Sequence, residues 1–422
     1  MHLSYRWLAR HVDLTGISPQ DVATDLTLST AEVEGLTRFA PALSDVIVGH
    51  VATRVPHPDS DHLSLTTVDV GRGELLQIVC GAHNVAAGQK VAVATAGVEL
   101  PGGLKLKKTK IRGVESNGMI CSERELGLGD EHAGIWVLPA DAAVGKPVAA
   151  ALALEDWVIE IDNKSVTHRP DLWGHRGFAR EIAAIRRRAL KPLDTTLPSV
   201  ASNAPVFPVK IESAACSRFV ALSIEGAVNG RSPDWLRNLL LAVGQRPIDL
   251  FVDLSNFVML DLGQPNHLFD RRRLAPEGIV VRDARPKEKL TTLDGTERVL
   301  EPTDLLITSG DAGVGLAGIM GGDATKVALD TTSLVLEAAT FQPAVIRRPS
   351  ARLGLRSDAS ARFEKNLSPT LALEAAAHLL RTLQQIQPSA RLAAPPTDVG
   401  SWKDPARSVS LRPARVRSVL GT

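Results

Sequence analysis

The segment from about Val46 to Pro139 constrains the fold of this chain more than any other. It alternates short runs rich in β-branched residues with Gly, Pro and Asn turns, among them "VIVGHVATRVPHP", "LSLTTVDVG", "LLQIVCGAHNV" and "KVAVATAGVELPGG". Several short strands at such spacing, bounded by turn residues, are typical of a small all-β barrel. We therefore expect a β-barrel in this part of the chain.

Length and composition predict further units around this segment. With 422 residues, 44% of them hydrophobic, the chain is long enough for several globular domains. Pro-rich linkers are predicted at "KPLDTTLPSVASNAPVFP" and "PSARLAAPPTDVGSWKDPARS". The formal net charge is only +1, so nucleic-acid binding would need a local basic patch.

Three features bear on the compartment. The three cysteines have no CxxC spacing, the first residues lack the apolar core of a signal peptide, and no 18-residue apolar run follows. Together these predict a cytoplasmic protein with free thiols, no structural zinc and no membrane span.

The segments after the expected barrel alternate helix and strand patterns. "RGFAREIAAIRRRAL" places Phe178, Ile182 and Ile185 at helical spacing. From about Val209 to Gln387, strand-like runs mix with helical ones, which predicts an α+β unit. The last run, "VSLRPARVRSVLGT", is typical of a first strand and helix of a further domain.

A glycine pattern in this unit imitates a dinucleotide fingerprint. Gly313, Gly315 and Gly318 have GxGxxG spacing after a strand-like run. That motif must open a helix, whose N-terminus holds the phosphates. Here Gly321 and Gly322 follow and no helical pattern begins, so we do not expect dinucleotide binding.

The stretch "HPDSDHL" raises the question of a metal site. In an extended segment the alternate residues His57, Asp59 and Asp61 would point to one face, whereas His62 would point to the other. The stretch lies between two β runs, where Pro and Asp are common turn residues. We therefore favour a turn over a metal site, with no metal ligand predicted in the chain.

The ordered series "HPDSDHL", "LQIVCGAHNV" and "VAVATAGVELPGGLKLKKTKIRGVESNGMICSERELGL" resembles the oligonucleotide-binding-fold tRNA-binding domain attached to aminoacyl-tRNA synthetases. Within it, "KLKKTKIRG" concentrates positive charge that can attract phosphate. The predicted tRNA-binding residues are Lys105, Lys107, Lys108, Lys110 and Arg112. Trp136 is the only aromatic residue of the segment, so we expect recognition of the backbone rather than stacking on bases.

Three stretches of the α+β unit extend the resemblance: "DLSNFVMLDLGQPNHLFD", "SLVLEAATFQP" and "RRPSARLGLRSDASARFEKNLSP". With the glycine run, they resemble in order and spacing the editing domain of the β subunit of bacterial phenylalanyl-tRNA synthetase. The similarity spans essentially the whole chain. It implies hydrolysis of tyrosine wrongly esterified to tRNA(Phe).

The resemblance assigns roles residue by residue. Glu337 matches the carboxylate that hydrogen-bonds the tyrosine hydroxyl, and His267 matches the histidine beside the ester, as general base or as a positioning group. The remaining residues of the predicted editing pocket are Ser255, Asn256, Ala317, Gly318, Ser357, Asp358 and Ala359. Serine replaces the family's usual threonine at 255 and 357, which keeps the hydroxyl and loses a methyl group.

The resemblance also implies domain boundaries. We expect an N-terminal helical segment (1–44), the oligonucleotide-binding-fold barrel (45–150), and a helical segment that packs with the first (151–200). A mixed α+β editing domain (205–390) and the start of a truncated domain (405–422) follow. The expected fold class is therefore multidomain α+β.

Partners follow from the family. We expect tRNA(Phe) and the synthetase α subunit in an α2β2 heterotetramer, with no DNA or membrane partner. ATP and Mg²⁺ are expected at sites on the α subunit or beyond residue 422. Two alternatives stay open: a non-catalytic tRNA-binding module, and a stand-alone deacylase that edits in trans.

Overall fold

The computed structural model describes residues 1–39, 41–129, 132–152, 154–200, 203–404 and 407–421. The chain divides into two compact units. The first comprises Met1–Ser165, Phe178–Lys191 and Arg231–Ile248, and the second comprises Val166–Gly177, Pro192–Gly230 and Asp249–Thr422. Both contain helices and strands, so the predicted multidomain α+β class is confirmed. Within the described ranges, no helix is long and apolar enough to cross a membrane.

The elements of the first unit follow in chain order. It begins with β1 (His2–Ser4), α1 (Tyr5–His11), α2 (Pro19–Ser29) and β2 (Val33–Phe39). Its middle contains β3 (Ile47–His57), β4 (Ser60–Asp69), β5 (Leu75–Cys80), β6 (Lys90–Thr95), β7 (Thr109–Ile111), β8 (Val114–Ser116), β9 (Gly118–Ile120) and β10 (Val137–Leu138). It ends with α3 (Val148–Ala151), β11 (Asp156–Ile161), α4 (His175–Ile185), which begins in the second unit, and α5 (Asp234–Ala242).

A three-stranded antiparallel sheet joins the two segments that were expected to be helical. Its order is β1-β11-β2, with His2 opposite Glu160. The helices form as well: α2 starts with a capping box between Ser18 and Asp21, and Pro19 occupies the first turn. The purely helical description of these segments is thus wrong, because their short strands are stabilised by partners far away in the sequence.

The predicted barrel is an open sheet in the described part of the chain. The strand order is β10-β6-β3-β4-β5, with β9 also on β6. Between β5 and the segment from β8 to β9, three isolated hydrogen bonds take the place of a strand ladder. Asn117 N–H donates to Gln77 O at 2.9 Å, Val79 N–H donates to Ser116 Oγ at 3.1 Å, and Gln77 Nε2 donates to Glu115 O at 2.8 Å. A serine hydroxyl accepts one of these bonds where a strand carbonyl would accept it in a ladder, and the strands within the described ranges do not close into a barrel.

Both faces of this sheet are buried along strand β6. Val91 and Val93 belong to one hydrophobic cluster, and Ala92 and Ala94 belong to another. The period-2 alternation of strand side chains produces this division. All three cysteines of the chain are buried and free, as predicted.

The second unit contains the remaining elements. They are β12 (Val209–Ile211), β13 (Cys216–Glu225), α6 (Leu250–Leu262), β14 (Asn266–Asp270), β15 (Ile279–Asp283), β16 (Lys289–Thr291), β17 (Glu297–Val299), β18 (Leu305–Ser309) and β19 (Ala312–Leu316). They continue with β20 (Met320–Gly321), β21 (Ser333–Phe341), α7 (Pro343–Arg352), α8 (Asp358–Phe363), α9 (Thr370–Ile386), β22 (Arg391–Leu392), β23 (Thr397–Gly400) and α10 (Pro413–Leu420).

Two five-stranded sheets form the body of this unit. One has the order β12-β15-β18-β19-β20, and the other has the order β14-β21-β13-β22 with β23 also on β13. A single hydrophobic cluster contains residues of both sheets, such as Ile307 and Val314 from the first and Phe219 and Val335 from the second. The two sheets therefore share one core, and polar side chains directed into it are unusual.

The C-terminal run differs from its prediction. Residues 407–412 form no strand, and α10 has no buried residue. Residues 405, 406 and 422 lie outside the described part. The boundary of a further domain at 405–422 stays a prediction.

Candidate functional sites

Glu337 and His267 form a pair across the shared core of the second unit. The antiparallel register of β14 and β21 places His267 directly opposite Glu337. On β21, Val335 and Ala339 flank Glu337 at alternate positions, and both belong to the hydrophobic cluster between the sheets. Because alternate residues of a strand face the same way, Glu337 points into this core. Only 6% of its surface is exposed.

Burial determines the charge of both side chains. It raises the pKa of Glu337 to about 8 and lowers the pKa of His267 to about 4. His267 Nε2 is enclosed and has no hydrogen-bond partner among the described residues. Both groups are therefore neutral at pH 7, and a protonated carboxyl group can donate one hydrogen bond and accept others.

Gly321 leaves the room that the imidazole of His267 occupies. A Cβ atom at Gly321 would lie 2.5 Å from His267 Cε1 and 2.9 Å from Nε2, closer than atoms can approach. The ring also contacts Phe269 edge-on, with centroids 4.5 Å apart. Sequence reasoning did not assign Gly321 to the site, although the Gly321-Gly322 pair was the available signal.

Ala317 and Gly318 form a turn after β19. Gly318 has a φ of +66°, and a Cβ there would approach Phe363, Ile346 and Phe341 within 2.9 to 3.1 Å. The Ala317 amide is already bonded to Leu305 O at 3.0 Å. The backbone N–H of Ala317 is therefore already used, and this turn affects the site through its close packing at Gly318. As predicted, the glycine run continues into the short strand β20 and not into a helix.

Ser357 links this turn to α8. Its hydroxyl donates to Ile319 O at 2.7 Å and accepts from Ser360 N–H at 3.1 Å as the helix cap. Asp358 is exposed and accepts from Arg362 Nη1 at 2.9 Å, and Ala359 is half-buried. The structure thus brings the 317–319 turn and the start of α8 together.

Ser255 fixes α6 to β14. Its hydroxyl donates to Asn266 O at 3.1 Å, and Asn266 Nδ2 donates to Ser255 O at 3.1 Å. Asn266 immediately precedes His267, so these two bonds position the strand that carries the imidazole. Asn256, the next residue of α6, is half-buried. Asn266 was not assigned a role from the sequence.

The predicted tRNA-binding residues lie on and beside a small hairpin. β7 and β8 are joined by Arg112 and Gly113, whose φ angles are +46° and +82°, as expected for a two-residue hairpin turn with positive φ at both positions. The five basic side chains are all exposed. Within the described residues, none of them forms an ion pair. Lys105, Lys107, Lys108, Lys110 and Arg112 will be called the basic hairpin.

His57 anchors this hairpin through its two ring nitrogens. Its Nδ1 accepts from Asp59 N–H at 3.1 Å, so the ring proton is on Nε2, which lies 3.3 Å from Ile111 O. Arg112 Nη1 donates to Asp59 O at 3.0 Å. The predicted turn is confirmed. Across the described ranges, no group of three or more His, Cys, Asp or Glu residues is placed to hold a metal.

Comparison with known proteins defines the class of chain first. Residues 46–147 match the family model described as a putative tRNA binding domain, and residues 215–388 match the B3/4 domain. The first range contains the basic hairpin, and the second contains Glu337 and His267. The chain is therefore a tRNA-binding module combined with a B3/4 module.

Relatives then give the family. The chain is 41% identical to the phenylalanine–tRNA ligase β subunit of Anaeromyxobacter dehalogenans over 98% of its own length and 53% of the relative. It is 44% identical to that of Nitratidesulfovibrio vulgaris over 91% of this chain and 48% of the relative. The chain belongs to the phenylalanine–tRNA ligase β-subunit family, so the resemblance is confirmed. It spans about half the length of the curated relatives it matches.

One solved structure matches part of this chain. An N-terminal fragment of the phenylalanyl-tRNA synthetase β subunit from Pyrococcus horikoshii covers 47% of this chain, and the match covers 61% of the fragment. The identity is 19% and the TM-score is 0.28.

Proposed function

We propose that this chain binds tRNA(Phe) and hydrolyses tyrosine wrongly attached to it, as the proofreading part of a phenylalanine–tRNA ligase. The observation that carries the proposal is the opposed pair of Glu337 and His267 in the core of the B3/4 domain. A buried carboxyl group costs stability unless it finds a hydrogen-bond partner. A tyrosine hydroxyl is a partner of the right chemistry.

Glu337 is proposed to select tyrosine over phenylalanine. In its protonated form the carboxyl group can both donate to and accept from a phenol hydroxyl. Phenylalanine would leave the carboxyl group buried and unpaired. Sites of this kind discriminate by roughly 10⁴ to 10⁵. The site would therefore bind the wrongly formed Tyr-tRNA(Phe) and exclude the correct product, Phe-tRNA(Phe).

His267 is proposed to position the reacting groups. Its pKa of about 4 leaves a neutral and weakly basic imidazole at pH 7, so general-base catalysis is the less favoured role. Water attacks the ester carbonyl carbon, the bond to the ribose oxygen breaks, and that oxygen takes up a proton. The imidazole would orient the water or the ribose hydroxyl through Nε2, its unpartnered nitrogen.

The remaining predicted residues are proposed to form the walls of this pocket. The contacts of Ser255 with Asn266 and of Ser357 with Ile319 support this role, since they fix the segments around Glu337. The full set is Ser255, Asn256, Ala317, Gly318, Ser357, Asp358 and Ala359. We infer that Ser255 and Ser357 act through position rather than through direct contact with the reacting ester.

The first unit is proposed to be an oligonucleotide-binding fold that holds the tRNA backbone. Its support is the basic hairpin, whose exposed charges lack ion-pair partners within the described residues. Such charges bind phosphate with a strong dependence on salt.

Aminoacylation is proposed to belong to the α subunit, in a cytoplasmic α2β2 enzyme. ATP and Mg²⁺ would serve that reaction. The described residues of this chain offer no set of ligands that fits a metal ion, so we assign none of them to Mg²⁺.

The test is hydrolysis of preformed Tyr-tRNA(Phe), with Phe-tRNA(Phe) as the competing substrate. The chain, its Glu337→Ala and Glu337→Gln variants, and Glu374→Ala, which removes an exposed glutamate of α9, would be compared. We expect the wild type and Glu374→Ala to deacylate only Tyr-tRNA(Phe), and the Glu337 variants to lose that selectivity. Binding of tRNA without hydrolysis, even with the α subunit added, would show a non-catalytic tRNA-binding module instead. Full activity without the α subunit would favour editing in trans.

A further inference from the structure

Leu293 occupies an exposed position beside the imidazole of His267. It lies between β16 and β17, and its N–H donates to Gly321 O at 3.0 Å. A Cβ atom at Gly321 would lie 3.2 Å from Leu293 Cδ1 and 2.5 Å from His267 Cε1. The leucine and the imidazole therefore flank the same glycine. Yet Leu293 is 43% exposed.

The segment that carries Leu293 is held firmly. Thr292 is fully buried, and its hydroxyl donates to Asp294 Oδ1 at 2.6 Å. Arg298 Nη2 in turn donates to Asp294 Oδ2 at 2.6 Å. Thr292 N–H bonds to Thr296 O at 3.1 Å and closes the turn. A rigid polar network thus presents an apolar side chain to solvent next to the proposed site.

Exposure increases from Glu337 to His267 to Leu293. Glu337 is almost fully buried, His267 is half-buried, and Leu293 is the most exposed. If the tyrosyl hydroxyl binds at Glu337 and the ester lies beside His267, the group attached to the ester extends towards Leu293. In aminoacyl-tRNA that group is the terminal adenosine.

We propose that Leu293 packs against the base of the terminal adenosine and so makes the site prefer tyrosine esterified to a nucleoside over tyrosine alone. The inference rests on the proposed function. It adds a nucleoside-contacting residue on the β16–β17 hairpin. Burying much of a leucine side chain against a base is expected to strengthen binding about fivefold.

Equilibrium binding to the full 422-residue chain tests this. One ligand is 3′-(L-tyrosylamino)-3′-deoxyadenosine, an amide that resists ester hydrolysis, and the other is L-tyrosinamide, which lacks the nucleoside. The variants are Leu293→Ala and, as the matched control, Val299→Ala, which trims an exposed residue of the same hairpin. We expect Leu293→Ala to bind the adenosine amide about fivefold more weakly and tyrosinamide unchanged, with Val299→Ala altering neither.

Three results would overturn the inference: equal binding of the adenosine amide by wild type and Leu293→Ala, an equal loss for both ligands, or no binding of the amide by the wild type. Because the amide is not turned over, the readout is independent of catalysis. A chain that binds it through Leu293 but hydrolyses no Tyr-tRNA(Phe) would overturn the proposed hydrolysis alone.

Discussion

His267 faces Glu337 across adjacent strands, and burial shifts the pKa values of the two side chains in opposite directions. The acid is held protonated and the base is held unprotonated, so the pair carries no charge at pH 7. Two charged groups in this core would cost far more than two neutral ones. The two neutral side chains therefore do not form an ion pair with each other and can hydrogen-bond to a ligand.

The first prediction concerns stability above pH 6.5. Glu337 has a higher pKa in the folded chain, about 8, than its ordinary value of 4.5. Between these values the folded state binds more protons, so raising the pH favours unfolding by up to about 1.4 kcal/mol per pH unit. His267 acts in the opposite direction and mostly below this range, because its contribution to stability is lost as the pH falls through 6.5 towards 4, and it is present equally in both proteins compared below.

The measurement is calorimetric unfolding of the wild type and Glu337→Gln at pH 6.5 and pH 8.5. The wild type should lose roughly 2 kcal/mol relative to the variant over this interval, since glutamine does not titrate. A difference between the two proteins that does not change with pH would show that Glu337 is not held protonated.

The second prediction is that Gly321→Ala abolishes most editing activity. The added methyl group would overlap the His267 ring, which would have to move. A displacement of about 1 Å can reduce a catalysed rate roughly 10²-fold. Gly230→Ala is the control, because a Cβ there meets nothing within 4 Å. Deacylation of Tyr-tRNA(Phe) and the Tm of each variant would be measured, and a normal rate in Gly321→Ala would argue against His267 as the positioning group.

Local patterns were readable from the sequence, whereas long-range pairings were not. The periodicity of Phe178, Ile182 and Ile185 predicts α4, and turn residues predict the hairpin after His57. The pairing of His2 with Glu160 joins strands of three and six residues, too short to show a pattern of their own. The pairing of His267 with Glu337 was reached only through the family resemblance. The Gly321-Gly322 pair was visible in the sequence, but the roles of Gly321 and Leu293 could not be predicted, because they depend on which side chain the fold places beside them.

The third prediction is that lysines of the basic hairpin contribute to tRNA binding through their charge. Each lysine that neutralises a phosphate contributes about 0.7 to 0.9 to the slope of log K against log salt concentration. The double variant Lys108→Ala and Lys110→Ala should therefore weaken tRNA binding and reduce that slope by about 1.4 to 1.8. Lys164→Ala, which removes an exposed charge outside the basic hairpin, should change neither. An unaltered slope in the double variant would mean that these lysines touch no phosphate.

The fourth prediction is that His57 acts on tRNA binding through position alone. His57→Ala removes the bonds to Asp59 N and Ile111 O, each worth about 1 kcal/mol. The basic hairpin would then be held less firmly, and tRNA affinity should fall while the salt slope stays at its wild-type value, because all five basic residues remain.

His62→Ala is the matched control, because the His62 side chain is exposed and its hydrogen bond to Ser60 Oγ is donated by its backbone N–H, which the variant keeps. Affinity and salt slope would be measured together by titration at several salt concentrations. A lower slope in His57→Ala would mean that phosphate contacts themselves were lost, and that the hairpin had detached rather than loosened. Unchanged affinity would mean that the turn between Arg112 and Gly113 holds the hairpin without help from His57.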